Sequence, residues 1–291
     1  MTGDEAITSQ FGADGLRRFP AAALHEARLH AEDVRLLADI GVPVGVGPYF
    51  TATTAEDTPR LGAYAARHRL PAPPRELERW LRLGDDKHAQ LCIRPDGAIQ
   101  AVVLSEAIDD LYVSSSVAQF IHALALLDQA LPRIAAADGM EEAVAVFRRL
   151  AEEMKQLDGP AFAERENWWP RVLDDVRHTL NFPFSASFEF VTAGGQKEIV
   201  TESTGPGRLH PEERLWQRLS ASGIAPEQIT RVYCELEPCV MPGHYCAMWM
   251  NELFPRARFT HSFPYGETAA SREDGFRQLI VHAARGARGD G

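Results

Sequence analysis

Four side chains in the last third of the sequence could together bind and use a metal ion. His210 and Glu212 stand two residues apart at the start of a predicted helix. Cys239 closes a predicted strand, and Cys246 begins the helix after it. One imidazole and two thiolates supply three ligands of a tetrahedral zinc ion and leave the fourth position for water. Zinc lowers the pKa of that water, and a carboxylate beside it can take its proton and return it to a leaving group. The set therefore predicts a hydrolytic zinc site with Glu212 as acid and base.

The elements around these four residues alternate between strands and helices. The sequence predicts a hairpin, a helix, a strand, a second helix, a further strand and a last helix, over residues 188–202, 211–221, 228–236, 245–254, 257–263 and 272–284. Such alternation predicts an α/β layer with some parallel strand pairing. Because no clear strand follows the last helix, we expect a sheet of four strands. The candidate ligands then lie at adjacent ends of these elements.

The first 182 residues have a different pattern. Apolar runs over 90–94 and 98–104 flank Asp96-Gly97, and Asp-Gly between apolar segments is a strong hairpin signal. A third strand is predicted over 111–113, and the serines at 114–116 could cap the helix that follows. Helical patterns cover residues 21–40, 117–131, 140–157 and 170–180. These elements predict an α+β domain, an antiparallel sheet with helices.

A seam at residues 181–185 contains a proline that ends the preceding helical pattern. The sequence therefore predicts two domains, residues 1–182 and residues 183–291.

The acidity of the chain is concentrated in the first domain. The 291 residues carry 30 Lys+Arg and 41 Asp+Glu, a formal net charge of −11, and before residue 189 the acidic residues exceed the basic ones by nine. An acidic surface argues against a protein that coats duplex DNA or an anionic membrane. It suits a basic protein partner, because complementary charge speeds encounter.

Neither a targeting segment nor a membrane span is visible in the sequence. Residues 1–12 lack the basic and apolar blocks of a signal peptide, and the most apolar stretch, residues 117–127, is too short to cross a bilayer. We therefore expect a cytoplasmic protein, in which clustered cysteines favour metal binding or catalysis over disulfides. Cys92 and Cys234 are expected to be structural residues.

The first domain resembles the SUKH superfamily over about residues 8 to 180. The resemblance rests on short motifs in a fixed order: Leu36-Leu37, Gly41-Val42-Pro43, Leu61-Gly62, Asp96-Gly97, Val113 to Ser116, Phe120 and Trp168-Trp169 leading into Val172-Leu173-Asp174. Members of that superfamily are typically bacterial immunity proteins, which bind and neutralise toxin domains. The resemblance therefore implies a toxin-binding module, with a basic toxin as its partner.

The second domain resembles the zinc-dependent nucleobase and nucleoside deaminases over about residues 184 to 285. His-x-Glu at 210–212, Pro-Cys at 238–239 and a second cysteine at 246 match the signature of that superfamily. The segment 233–239 looks most like the divergent deaminases of bacterial polymorphic toxins. The resemblance implies a three-layer α/β fold and a Zn²⁺ cofactor held by His210, Cys239 and Cys246, with Glu212 catalytic. It also implies hydrolytic loss of the amino group from cytosine, favoured over adenine, in a nucleotide or single-stranded nucleic acid.

The spacing of the two cysteines departs from the family pattern. Six residues separate Cys239 from Cys246, whereas the usual signature has two. The insert must loop so that both sulfur atoms reach one metal, and Pro242-Gly243 supplies a turn. His244 is an alternative ligand in place of one cysteine.

Three further residues are candidates for contact with the substrate. Phe263 and Tyr265 join the last strand to the last helix, where deaminase loops hold the base, and either ring could stack on it. An equally good interpretation is a buried strand end with an aromatic anchor. Glu237, beside Cys239, is the third candidate.

Two other functions fit the same residues. The chain could be a non-catalytic immunity-type protein that neutralises a toxin, with an inactive deaminase-like domain. Alternatively, the zinc could be structural, in which case Cys239→Ser would unfold the second domain and Glu212→Ala would change nothing.

Overall fold

The computed structural model describes residues 3–104, 108–205 and 208–289. The helices are α1 Gly3–Phe11, α2 Ala21–Ala27, α3 Ala31–Asp39, α4 Leu61–His68, α5 Val117–Ala135, α6 Met140–Leu157, α7 Trp168–Asn181, α8 Pro211–Ala221, α9 Cys246–Leu253 and α10 Ala269–Gly289. The strands are β1 Leu16–Arg17, β2 Val42–Pro43, β3 Gly45–Val46, β4 Phe50–Ala52, β5 Leu81–Asp85, β6 Gln90–Ile93, β7 Ile99–Val102, β8 Leu111–Ser114, β9 Ser185–Val191, β10 Lys197–Ser203, β11 Ile229–Leu236 and β12 Arg258–Phe263.

The N-terminal domain is built on a six-stranded sheet in the order β3-β4-β5-β6-β7-β8, in which every neighbouring pair is antiparallel. The predicted hairpin is confirmed as β6 and β7, and Gly97 in its turn has a φ of 86°. Such a φ costs glycine little, so the Asp-Gly pair sets the register of these two strands.

Local interactions determine where the helices of this domain begin and end. The side chain of Ser116 accepts a hydrogen bond from the Gln119 N–H, which confirms the predicted N-cap of α5. The helical pattern over 21–40 is divided into α2 and α3, because Arg28 adopts the left-handed conformation that ends α2. Helix α7 closes the domain, and Trp168 and Trp169 at its start are fully buried.

The C-terminal domain has a four-stranded sheet in the order β10-β9-β11-β12. Strands β9 and β10 form the predicted antiparallel hairpin, and β11 pairs antiparallel with β9. Strand β12 is parallel to β11, with α9 in the connection between them. Helix α8 packs on β9 and β10, whereas α10 packs on β11 and β12. The predicted fold class, an α+β domain followed by a domain of sheet and helices, is confirmed.

Each domain has its own hydrophobic core. The main cluster of buried side chains runs from Ile7 to Leu180 in the first domain and from Phe184 to Leu279 in the second, and a small cluster of Leu61, Cys92 and Val102 adds to the first. The predicted domain boundary after residue 182 falls in the connection between α7 and β9. Among the described residues, no helix combines the length and the apolar character that a membrane crossing requires.

Candidate metal centre

His210 and Glu212 are fixed by the start of α8. His210 is the N-cap, Pro211 takes the first helical position, and the N–H of His210 donates to the Glu213 carboxylate at 3.0 Å. Proline is favoured at this position because its missing N–H has no partner in the first turn of a helix. The arrangement places His210 and Glu212, both buried, on the inner side of the domain.

Cys239 and Cys246 are brought together by a tight turn in the insert between them. The Met241 carbonyl accepts the N–H groups of His244 and Tyr245 at 3.1 and 3.0 Å, and the N–H of Ala247 donates to the Cys239 carbonyl at 3.0 Å. These bonds close the longer spacing into a compact loop, so that Cys246 begins α9 beside Cys239.

Glycine is required at position 243 of this loop. Gly243 has a φ of +80°, which L side chains rarely adopt. A Cβ atom there would lie 2.9 Å from the Pro48 carbonyl oxygen and 2.8 Å from the Tyr49 ring, both in the N-terminal domain. The Gly243 N–H also donates to the Asp86 carbonyl at 3.2 Å. The insert is therefore shaped against the N-terminal domain.

The donor atoms of the three candidate ligands converge. His210 Nδ1 lies 3.5 Å from Cys239 Sγ and 3.6 Å from Cys246 Sγ, and all three atoms lie within 4.8 Å of one another. Tetrahedral zinc with Zn–N near 2.0–2.1 Å and Zn–S near 2.3 Å separates nitrogen and sulfur by about 3.6 Å. The geometry and the donor set therefore fit a zinc ion.

Glu212 lies beside these ligands without joining them. Its Oε2 is 3.9 Å from Cys246 Sγ, and it is absent from the convergent donor set. Burial raises the pKa of its carboxyl, and this outweighs the charge of His210, which lowers it. A raised carboxyl pKa suits a group that must both take up and release a proton near neutral pH.

The two thiols have opposite tendencies to ionise. Burial favours the neutral form of Cys239, but the hydrogen bond with Cys246 and the charge of His210 hold its pKa well below the usual value. Burial raises the pKa of Cys246, and the hydrogen bond with Cys239 and the charge of Cys239 raise it further. Because metal ligation needs both thiolates, metal binding would release the proton that the two thiols share.

A carboxylate of the N-terminal domain faces the other side of His210. Asp175 on α7 places Oδ1 2.9 Å from His210 Nε2 and Oδ2 3.1 Å from His244 Nε2. These are ion-pair distances, although neither ring N–H is aligned on its oxygen as a hydrogen bond requires. The Tyr49 hydroxyl donates to Asp175 Oδ2 at 2.8 Å.

His244 stacks on His210 instead of joining the thiols. The two rings are parallel within 2°, and their centroids are 3.8 Å apart. His244 Nδ1 lies 2.6 Å from Glu213 Oε2. The same oxygen accepts a hydrogen bond from the backbone N–H of His210. Both of its ring nitrogens therefore face carboxylates, which favours the two cysteines over His244 as ligands.

Further contacts tie the two domains together around this centre. Asp86 Oδ2 accepts hydrogen bonds from Trp168 Nε1 at 2.7 Å and from the Tyr245 hydroxyl at 2.9 Å, and burial raises the pKa of Asp86 to about 6. Lys87 forms an ion pair with Glu213. A cavity of about 280 Å³ opens at this junction, lined by residues of both domains: Lys87, His88, Glu213, Trp216, Gln217, His244, Tyr245, Trp249 and Glu252.

The three predicted substrate contacts lie in other surroundings. The Glu237 carboxylate accepts the N–H groups of Tyr265 and Gly266 at 3.1 and 3.4 Å. Tyr265 is buried, and its hydroxyl is 2.5 Å from His178 Nδ1 on α7. Phe263 is half-buried against the His282 ring. A role for these residues in substrate binding stays a prediction.

Two residues of the centre, Asp175 and Glu213, are not among the candidates that the sequence predicts. One signal was present for Asp175: it is an acidic residue on the apolar face of α7, with Val172, Val176 and Thr179 all buried around it. A charge in such a position needs a partner. Cys234 in β11 and Cys92 in β6 are both buried free thiols.

Two family models match the sequence. The model described as SUKH-4 immunity protein matches residues 3–175, and the model described as Xanthomonas-like deaminase matches residues 184–282. Comparisons with curated proteins and with solved structures gave no match. The two family matches confirm the resemblances inferred from the sequence, a SUKH-like domain followed by a deaminase-like one.

Proposed function

We propose that this chain, which belongs to the SUKH-4 immunity protein family and carries a deaminase-family domain, is a zinc-dependent hydrolytic deaminase of nucleobases. Cytosine is favoured over adenine as its substrate, in a nucleotide or a nucleic acid. The observation that carries the proposal is the convergence of His210 Nδ1 and the sulfur atoms of Cys239 and Cys246, with Glu212 beside them.

The chain's own residues have separate tasks in this reaction. His210, Cys239 and Cys246 would hold the zinc, which when bound supplies a Lewis acid that lowers the pKa of water. Glu212 takes a proton from the attacking water and returns it to the departing amino group. Water replaces the amino group at C4 of cytosine or C6 of adenine, and ammonia is released.

Replacement of Glu212 tests the proposal. Acid–base catalysis of this kind contributes about 10²- to 10⁴-fold to a rate, so E212Q should lose that factor and keep its zinc. Ammonia release from cytidine, deoxycytidine, adenosine and single-stranded DNA and RNA measures the loss. E202Q is the matched control, because Glu202 belongs to the same domain and pairs with Arg214 and Arg218. Zinc-free wild-type protein, or an unchanged rate in E212Q, would contradict the proposal.

The family of the N-terminal domain favours a second activity, capture of a toxin. The excess of nine acidic over basic residues before residue 189 suits a basic partner, such as a nuclease toxin of a bacterial conflict system. Binding of such a toxin should weaken as salt rises, because salt screens charge attraction. If E212Q and metal-free protein still neutralise the toxin and no deamination is detected, the chain is an immunity-type binding protein with an inactive deaminase-like domain.

A further inference from the structure

The imidazole of His210 is contacted at both ring nitrogens by groups from different domains. Nδ1 faces the two sulfur atoms of the C-terminal domain at 3.5 and 3.6 Å. Nε2 faces the Asp175 carboxylate of α7 at 2.9 Å. Asp175 is only 2% exposed and is held in turn by the Tyr49 hydroxyl.

We propose that Asp175 is a positioning residue of the metal centre, supplied by the N-terminal domain. The inference rests on the proposed function, because it concerns the zinc ligand His210. A histidine that binds a metal commonly faces a carboxylate with its other nitrogen, which fixes the ring and raises the basicity of the ligating atom. Asp175 occupies this position at His210, with Oδ1 2.9 Å from Nε2, so docking of the two domains completes the centre.

The neighbouring residues strengthen this assignment. His244 stacks on His210 at 3.8 Å, and its two nitrogens lie 3.1 Å from Asp175 and 2.6 Å from Glu213. The second ring therefore limits tilting of the first, and the same Asp175 carboxylate spans both. Asp175 Oδ1 faces the His210 ring and Oδ2 faces the His244 ring.

A second metal ion shared by Asp175, His210 and His244 fits the geometry less well. A metal binds an imidazole nitrogen close to the plane of the ring. The two rings are stacked, parallel within 2° and with centroids 3.8 Å apart, so one ion cannot lie close to both ring planes. A carboxylate, with two separate oxygens, can face both nitrogens at once.

Metal affinity tests the proposal without reference to activity. Zn²⁺ affinity of the full chain is measured by competition with a chelating dye, and the absorption spectrum of the Co²⁺-loaded protein reports thiolate ligation. Loss of such a partner typically costs 10- to 100-fold in metal affinity, so we expect D175N to lose about that factor. The Co²⁺ spectrum of D175N should keep its thiolate bands while the bands that report site geometry shift.

Two further variants serve as control and as support. D174N changes the adjacent residue of α7, which pairs with Arg177 at 2.9 Å and with Arg272 of α10 at 3.8 Å, and it should keep wild-type affinity. Y49F removes the hydroxyl that holds Asp175 and should weaken zinc binding in the same direction as D175N but less. Y49F keeps the test available if D175N does not fold.

The outcomes separate the two proposals. Wild-type affinity in folded D175N, or in Y49F where D175N does not fold, would overturn the positioning role alone. So would a wild-type protein that binds two zinc ions of which D175N loses one, because Asp175 would then be a ligand. A wild-type protein that binds no zinc would overturn the proposed function and this inference with it.

Discussion

The two sides of His210 differ in how they are built. On the Nδ1 side, Cys239 lies in the short loop after β11 and Cys246 is the first residue of α9, and backbone hydrogen bonds within this segment bring them together. On the Nε2 side, Asp175 comes from α7 in the other domain and reaches His210 across the domain interface. The thiolate side is therefore closed by local bonds and rests on the N-terminal domain through Gly243, whereas the carboxylate of the other side is itself supplied by that domain.

This difference assigns separate roles to the two domains. The C-terminal domain carries the three proposed ligands and Glu212, the proposed acid–base residue. The N-terminal domain matches the immunity family, and it also contacts the insert through Asp86 and the Gly243 backbone. The strength of metal binding should therefore report whether the domains are docked.

The largest expected effect is on the thiolate side. C239S removes a ligand, so zinc affinity should fall by more than the roughly 100-fold that loss of an outer partner costs. C92S is the matched control, because Cys92 is a buried thiol in the N-terminal domain. Zinc content after dialysis is measured for both variants.

If C239S binds zinc as tightly as the wild type, the assignment of the ligands is wrong. If C239S unfolds the C-terminal domain while E212Q keeps full activity on every substrate, the zinc is structural.

A smaller effect, on the free energy of unfolding, is expected where His178 of α7 contacts Phe276 of α10. Burial and the charge of Arg177 lower the pKa of His178 to about 4, and its ring stacks on Phe276 of α10. The folded state therefore takes up a proton less readily than the unfolded state, whose histidine has a pKa near 6.5. The free energy of unfolding should fall as the pH drops from about 6.5 towards 4, by up to about 3 kcal/mol from this group.

The variant H178N should remove this part of the pH dependence. Urea unfolding at pH 7 and near pH 4, followed by tryptophan fluorescence, compares it with the wild type and with H68N, which changes an exposed histidine. We expect the pH dependence of H68N to follow that of the wild type and that of H178N to be shallower. Parallel curves for all three proteins would show that His178 does not couple proton uptake to docking.

The fold was predictable to the extent that its signals are local. The Asp96-Gly97 turn set one hairpin, and α8 has the predicted bounds because Pro211 starts it and Gly223 lies just beyond its end. The division of residues 21–40 into two helices was not visible. It depends on the left-handed conformation of Arg28, which its sequence does not favour.

The site was predictable on one side only. Cys239 and Cys246 are close in sequence, and their chemistry marks them. Asp175 precedes His210 by 35 residues and meets it only through packing of one domain on the other. For Tyr265 the sequence left two interpretations, a base-stacking ring or a buried aromatic anchor, and the structure places its hydroxyl against His178 across the interface.

X-ray absorption at the zinc edge of the purified chain tests the central claim most directly. We expect one zinc ion per chain, with two sulfur neighbours at about 2.3 Å and nitrogen or oxygen neighbours at about 2.0–2.1 Å. A protein without zinc, or a zinc spectrum without a two-sulfur shell, would contradict the assignment of His210, Cys239 and Cys246 as the metal centre.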